Sequence, residues 1–234
     1  MNKKICLLLL MSCFAADLFA QTVETSGWVF LSHTQKISKK FDILADAQVR
    51  TADRLKYFNT LLLRTALQYN LNKTHAVAAG YALKTDWTRE DEGSTTKDYE
   101  NRIYEQYQAN FRVAKIEMSA RFRHEQRFLK KETEKKSVFA QRSRIFFSAQ
   151  IPLFADSCFS KGVYANIQDE LFLNVHKKQN VNNSLFDQNR TLVSLGYRWN
   201  KKIDTEFGYQ YWYQKNEDDY SKTNVFQIMI TTSF

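Results

Sequence analysis

Apolar and polar residues alternate along most of this chain, and the alternation constrains its fold more than any other feature. Successive side chains of a β-strand point to opposite faces, so a period of two residues predicts strands with one apolar face. Eleven segments show the pattern: 26–36, 41–50, 61–71, 75–85, 103–113, 116–127, 137–151, 163–175, 189–200, 203–213 and 223–234. The sequence therefore predicts an all-β protein.

The predicted connections alternate between short turns and longer polar loops. The short turns are 38–40, 72–74, 114–115 and 201–202, and the loops are 86–98, 129–136, 176–187 and 214–222. This alternation is typical of a barrel whose two rims face different compartments. One connection, 152–162, should be a short turn yet has eleven residues, including Pro152 and Cys158. No internal repeat and no linker interrupts the pattern, which indicates one domain.

The last predicted strand ends on an aromatic residue. Phe226, Ile228, Ile230, Thr232 and Phe234 share one face of this strand. The ending is similar to that of the closing strand in Gram-negative outer-membrane barrels, where the barrel assembly machinery recognises it. We therefore interpret Phe226, Ile228, Ile230 and Phe234 as an assembly signal, and that machinery as a partner during biogenesis. The alternative is a soluble sheet that happens to finish on Phe.

The start of the chain has the pattern of a secretory signal peptide. A lysine pair precedes an apolar run at 5–14, and a small-residue cleavage site follows at Leu18-Phe19-Ala20. We assign 1–20 as the signal peptide and 21–234 as the mature domain. Export of a soluble protein would show the same signal, so this feature predicts only that the chain leaves the cytoplasm.

The chain is basic, with 34 Lys and Arg against 25 Asp and Glu. Without residues 1–20, which hold two lysines and one aspartate, the balance is 32 against 24, a net charge of +8. In an exported chain this charge favours anionic lipopolysaccharide or acidic solutes over nucleic acid as partners. Cys158 is the only cysteine after residue 20, so no disulfide and no cysteine metal pair is expected.

Alternation alone does not distinguish a soluble β-sandwich from a membrane barrel. Two features of the strands favour the barrel. The segments 99–113 and 137–151 approach fifteen residues, whereas strands of soluble proteins average about five or six. Aromatic residues cluster near strand ends, where the girdles of membrane barrels lie. These residues are Tyr197, Trp199, Tyr209, Tyr211 and Tyr213.

The polar faces carry arginine with glutamate and aspartate, unlike the lysine and threonine of an ordinary solvent-exposed face. The candidates for the interior of a barrel are Arg64, Arg102, Arg112, Arg121, Arg123, Arg127, Arg142, Arg144, Arg190, Arg198, Glu100, Glu117, Glu125, Glu170, Asp204 and Glu206. Two interpretations stay open. Rings of arginine form an electropositive constriction that favours anionic solutes. Arginines paired with carboxylates across neighbouring strands instead fill the lumen without conducting.

Two details disagree with a simple membrane barrel. Single-chain bacterial barrels have even strand numbers, so we expect either twelve strands, with an extra one in 21–35, or ten, with 26–36 outside the wall. Glu105 and Asp169 fall on the apolar face, where a carboxylate facing lipid is unfavourable. A bulge near either residue, or a position close to the lipid headgroups, would remove the conflict.

Catalytic and metal-binding patterns are weak. His33, His75, His124 and His176 have no metal-pair spacing, and His124 points away from Ser119 and Glu125 on its own strand, although a partner from a neighbouring strand remains open. The chain has no Gly-x-Ser-x-Gly elbow, phosphate loop or zinc signature. We expect no enzyme activity and no catalytic, cofactor or metal site. The alternatives are a barrel hydrolase acting on lipid or lipopolysaccharide and a secreted β-sandwich or lipocalin-like binder.

Several stretches resemble an uncharacterised family of Gram-negative outer-membrane proteins that is known only as a domain of unknown function. They are Trp28, the segment 71–81 ending Gly80-Tyr81, Glu100-Asn101-Arg102-Ile103, Arg121-Phe122-Arg123-His124-Glu125-Gln126-Arg127-Phe128, Asp169-Glu170-Leu171-Phe172, Phe186-Asp187-Gln188-Asn189-Arg190 and Gly208-Tyr209. The resemblance covers the mature chain and implies a barrel in the cell outer membrane. It implies no activity, so no residue acquires a role from it.

These observations predict an antiparallel, up-and-down transmembrane β-barrel of about ten to twelve strands. The expected role is either a passive channel for small anionic solutes or a structural barrel with a charge-paired lumen. No cofactor is expected, and the expected surroundings are outer-membrane lipid and lipopolysaccharide.

Overall fold

A computed structural model describes residues 23–89 and 94–234, so the predicted signal peptide lies outside the described residues. The predicted all-β class is confirmed, and strands occupy most of the described chain. They are β1 (Val23–Lys36), β2 (Phe41–Ala52), β3 (Tyr57–Asn70), β4 (His75–Arg89), β5 (Thr95–Val113), β6 (Ile116–Lys130), β7 (Val138–Ala155), β8 (Gly162–His176), β9 (Phe186–Asn200), β10 (Ile203–Lys215) and β11 (Tyr220–Ser233). A short 3₁₀ helix covers Lys178–Asn180. No helix of the described residues is long and apolar enough to cross a membrane.

The eleven strands form one closed barrel in which each strand pairs with its neighbours in sequence. All of these pairs are antiparallel. The barrel closes through β1 and β11, which run parallel over twelve paired positions, from Val23 with Lys222 to Thr34 with Ser233. The expected even strand number is therefore wrong. An up-and-down barrel with an odd number of strands must join its two terminal strands in parallel, because both run in the same direction.

The strands extend beyond their predicted ends. Most of the predicted loop 86–98 is strand, since β4 continues to Arg89 and β5 begins at Thr95. The long connection predicted at 152–162 is also shorter, because β7 runs through Pro152 with a register shift and leaves a turn at 156–161. One rim therefore carries turns of two to six residues. We call this the short-turn rim and the opposite one the loop rim.

The barrel is apolar outside and polar inside. Exposed outward side chains include Leu63, Ile103, Phe147, Leu195 and Phe207, whereas 24 of the described buried residues are polar or charged and 15 are hydrophobic. Glu105 and Asp169 do face outward, and strand pairing runs through both positions without a register shift. A bulge is therefore not the reason for their position. Gln126 donates to Glu105, while Asn189 and Thr191 donate to Asp169.

Aromatic side chains pair near both rims of the barrel. Near the short-turn rim the ring centroids of Phe41 and Tyr69 are 5.1 Å apart, and those of Tyr197 and Trp199 are 4.8 Å apart. Near the loop rim the pairs are Phe58 with Trp87, Phe128 with Phe139, and Tyr213 with Tyr220. The described wall thus has aromatic pairs near each end.

Two inward tyrosines lie against glycines of the neighbouring strand. Tyr104 pairs with Gly80 and Tyr164 pairs with Gly196, and both tyrosines are almost fully buried. A Cβ atom added at either glycine would overlap the facing tyrosine ring. The glycines are therefore needed for space, because the ring lies where a neighbouring side chain would otherwise stand.

Replacing Gly196 by Ala is expected to lower the free energy of unfolding by about 1–3 kcal/mol, because the methyl group would force the Tyr164 ring to move within a filled interior. Gly27→Ala is the matched control, since its new methyl group meets mainly the flexible end of Leu55. Thermal or urea unfolding of both variants measures the difference. Equal losses at the two positions would contradict the packing argument.

Candidate functional site: the ion-paired lumen

The structure places fourteen of the sixteen predicted charged residues inside the barrel, within strands β3 and β5 to β10. Arg112 and Glu117 are the other two, and they pair with each other at the short-turn rim with 50% and 30% of their side chains exposed. Glu206 differs from the expectation in its partners. It accepts hydrogen bonds from Tyr164, Asn166 and Ser194, which are neutral, and contacts no arginine among the described residues.

Glu125 lies at the centre of the largest group of ion pairs and is 1% exposed. Arg142 and Arg144, on the neighbouring strand, each donate to one of its oxygens, at 2.6 and 2.7 Å. Arg142 also reaches Asp187 at 2.8 Å, and Arg144 reaches Glu170 at 2.8 Å. Each buried charge here has at least one opposite charge in contact, as buried ions require.

A second group of ion pairs surrounds Glu100. Arg102 binds both oxygens of this carboxylate, at 2.8 and 2.9 Å, and Arg127 contacts it from the next strand. Arg123 lies beside this group, donating to Gln106 at 2.7 Å and lying over the Tyr104 ring. Bidentate guanidinium–carboxylate contacts hold both side chains in a fixed orientation, so this part of the lumen is rigidly filled.

Arg198 and Phe159 fill the lumen at the short-turn rim. Arg198 binds Asp204 at 3.0 Å and Glu117 at 2.9 Å, and its guanidinium carbon lies 4.0 Å from the centre of the Phe159 ring. Phe159 belongs to the turn 156–161 but is 4% exposed, because the turn folds back into the barrel. Hydrogen bonds from the Ser160 hydroxyl and amide shape this turn and hold the pKa of Asp156 below its usual value.

The connection 177–185 folds over the lumen at the loop rim. Asn182 is 4% exposed and donates to the Lys215 carbonyl at 2.9 Å, while Asn174 donates to Asn182 at 3.0 Å. Asn180 donates to the Phe139 carbonyl at 2.8 Å, which attaches the connection to β7. Side chains therefore reach into both mouths of the barrel, and a second cavity of about 510 Å³ remains at the short-turn ends of β4 to β7.

Between the two mouths lies a cavity of about 410 Å³ lined mainly by polar side chains. Its lining includes nine cationic residues, and seven of these contact a carboxylate. The remaining two are Arg50 and Arg190. Among the residues described, neither has a carboxylate oxygen within 4.0 Å, and both guanidinium groups lie over the ring of Trp28.

Several charged residues of the lumen were not among the predicted candidates. Asp46, which binds Arg64 at 2.7 Å, and Arg50 alternate on the polar face of β2, so the sequence did carry a signal for both. Lys84 and Asp86 pair with each other, and Asp187 pairs with Arg142. Asp86 and Asp187 fell in predicted loops, and the extension of β4 and β9 places them inside the barrel.

The outward face of β5 to β7 contains the neighbouring-strand partner for His124 that the hydrolase alternative requires. The Ser143 hydroxyl lies 3.3 Å from His124 Nδ1, and Glu105 stands opposite His124 in the strand pairing. However, no carboxylate oxygen of the described residues lies within 4.0 Å of the His124 ring nitrogens. The group therefore lacks the acid contact that orients the histidine in a Ser-His-acid triad.

The other histidines have neighbours suited to structural roles. His33 contacts Thr232 across the closing seam, and His75 contacts the Tyr107 hydroxyl at 2.6 Å near the short-turn rim. No group of three or more His, Cys, Asp or Glu side chains in the described chain is placed to hold a metal ion. Cys158 is exposed and free.

Comparison with known proteins gives one match. A family model with the description "Protein of unknown function (DUF2490)" matches residues 25–224. The matched range begins in β1 and ends in β11, so it includes the whole charged interior. No curated protein and no solved structure matches the chain.

Replacing Glu125 by Gln is expected to lower the free energy of unfolding by about 3–5 kcal/mol, because Arg142 and Arg144 would lose a shared buried carboxylate. Asp53→Asn is the control, since it removes an exposed ion pair with Lys56, and such pairs contribute about 0–1 kcal/mol. Equilibrium unfolding measures both. A similarly small loss of unfolding free energy in both variants would show that the buried pairs do not stabilise the barrel.

Proposed function

We propose a function for this chain, which belongs to the DUF2490 family of unknown function. It is an outer-membrane β-barrel without enzymatic activity, and ion pairs close its lumen. The observation that carries the proposal is the polarity of the wall, apolar outside and charged inside. A water-soluble barrel has the reverse arrangement, because its apolar faces form the core.

The apolar band on the outside has the height of a membrane. Strands of a membrane barrel tilt by about 35–45°, so each residue rises about 2.5 Å along the barrel axis. Glu105 and His124 are each nine positions from the turn at 114–115. Between these two residues and the turn, the outward residues of β5 and β6 are apolar. Nine residues correspond to about 22 Å, close to the apolar band of about 25 Å in outer-membrane barrels.

The same height accounts for the two outward carboxylates. Glu105 and Asp169 lie at about the same height, nine and eight positions from the turns 114–115 and 156–161, and on β8 outward apolar residues continue past Asp169 to Val175. At that level they would meet lipid headgroups, where the cost of a charge falls towards zero. The hydrogen bonds from Gln126, Asn189 and Thr191 reduce the cost further.

Both ends of the band fit the polar regions of a membrane. The aromatic pairs near each rim occupy the positions of interfacial girdles. Phe226 and Ile228 are exposed on the outward face of β11, Ile230 on the same face is half-buried, and Phe234, which follows the strand, is exposed. These positions leave the predicted assembly signal accessible from outside the barrel. We therefore take outer-membrane lipid, lipopolysaccharide and the barrel assembly machinery as the partners of the protein.

Of the two expected roles, the geometry favours a closed barrel over an open passive channel. Arg198 with Phe159 occupies one mouth, Asn182 occupies the other, and the ion pairs around Glu125 and Glu100 lie between them. Arginines that are already paired with carboxylates do not form the free electropositive ring that selects anions in a pore.

Replacing Leu195 by Lys is expected to destabilise the barrel in lipid by about 2–4 kcal/mol, because this exposed residue lies five positions from the short-turn end of β9, near the middle of the apolar band. The measurements are membrane fractionation and gel mobility of boiled and unboiled protein. We expect the wild type in the outer-membrane fraction with a faster unboiled band, and a weaker fast band for the variant.

Leu185→Lys is the matched control, since Leu185 is equally exposed but lies in the connection at the loop rim. It should retain the fast band. A protein that is soluble without detergent, or one in which both lysine variants behave like the wild type, would contradict membrane insertion of this wall.

Planar-bilayer recordings of the wild-type protein are expected to show no steady conductance, because side chains reach into both mouths and ion pairs surround the cavity between them. A heat-denatured sample serves as the background control. Regular conductance steps that depend on the folded protein would instead support the passive channel.

A further inference from the structure

Arg50 and Arg190 are the two cations of the lumen cavity without a carboxylate partner in the described structure. We propose that they form a binding site for a small oxyanion, a solute that carries a carboxylate or phosphate group. The guanidinium carbons of Arg50 and Arg190 lie 3.8 and 5.0 Å from the centre of the Trp28 ring, so they are at most 8.8 Å apart. Both guanidinium groups line the same cavity.

Each of these arginines is oriented by a glutamine two positions earlier on the same strand. Arg50 donates to Gln48 at 2.7 Å, and Arg190 donates to Gln188 at 3.3 Å. The corresponding position before Arg102 is Glu100, a carboxylate that neutralises it. The amide oxygen of glutamine fixes the direction of the guanidinium group but adds no negative charge. Carboxylates act on these two arginines only at longer range, Asp86 on Arg50 and Glu170 on Arg190, so neither is neutralised by direct contact.

The unpaired hydrogen-bonding atoms around the cavity are also all of one kind. Among the lining residues, every buried side-chain nitrogen or oxygen without a protein partner is a donor. These atoms are Arg50 Nε, Arg121 Nε, Arg127 Nη1, Arg190 Nε and Gln210 Nε2. These atoms lie within the wall and do not face the cavity themselves, but the surplus of buried donors over acceptors makes the surroundings electropositive, which favours a negatively charged ligand.

Aromatic rings form the rest of the site. Arg190 lies over Trp212 at 4.8 Å and over Phe172 at 4.9 Å as well as over Trp28, and the two tryptophan rings meet edge to face. Such stacking holds the guanidinium planes and limits contact with water, which strengthens a charge-assisted hydrogen bond to an anion. The cavity volume of about 410 Å³ suits a small solute.

The site adds a ligand to the proposed barrel and rests on its charged interior, not on membrane insertion or on closure of the lumen. Binding is therefore measured on the full mature chain, folded in detergent and checked by its gel mobility. The probes are inorganic phosphate and succinate, which separate the phosphate from the carboxylate source, at ionic strength held constant with sodium chloride. The readouts are tryptophan emission and the thermal midpoint.

We expect saturable binding of at least one probe by the wild type. Arg190→Gln and Gln188→Glu should each weaken it by about tenfold or more, the first by removing the cation and the second by giving it a carboxylate. Gln188→Glu should also raise the thermal midpoint without anion, because it compensates a buried charge. This gain distinguishes loss of the site from loss of the fold.

Gln150→Glu is the matched control, because it adds the same charge to the lining of the same cavity but near Arg198, at the short-turn end. It should change the affinity by less than about twofold, because the new carboxylate would pair with Arg198 and not with Arg190. Absence of saturable binding, or equal losses in Gln188→Glu and Gln150→Glu, would overturn the site. Either result in a protein with the folded gel mobility leaves the membrane barrel intact.

Discussion

The pairing of buried guanidinium and carboxylate groups across neighbouring strands is the interaction on which the rest of the structure depends. A closed barrel with arginine on its inner face encloses many like charges, and such an interior is unstable unless carboxylates stand between them. Glu100, Glu125 and Glu170 provide this compensation, and each contacts at least two arginines. Most of the charges are therefore paired inside the barrel, while the alternate residues of each strand form its apolar outer face.

Much of the fold could be predicted from the sequence because the period of two residues is strong. All eleven strands were recognised, and the inward position of residues such as Arg144 followed from their place in the alternation. The strand number was misjudged because an even count was assumed. Alternation says which way side chains face but nothing about which strands meet, so the parallel pairing of β1 with β11 was not predictable from it.

The candidate site was less predictable, since it depends on which charges meet. Composition does not show which arginines are paired. In the described structure Arg142 contacts two carboxylates, whereas Arg190 has none within 4.0 Å. The difference arises from cross-strand register and from the neighbour two positions earlier, glutamine for Arg190 and glutamate for Arg102. Register emerges only when the sheet closes, whereas the Gln-x-Arg and Glu-x-Arg spacings are visible in the sequence once their meaning is known.

The parallel seam also has a consequence for the order of folding. His33 contacts Thr232 across it, a separation of 199 residues, whereas all other strand pairs join neighbours in sequence. Contacts between such distant segments carry the largest loop-closure cost and form late. Until the seam forms, β1 and β11 each present a row of unpaired backbone groups, the kind of edge that promotes aggregation. The final step of folding is therefore also the step at which an unassisted chain is most vulnerable.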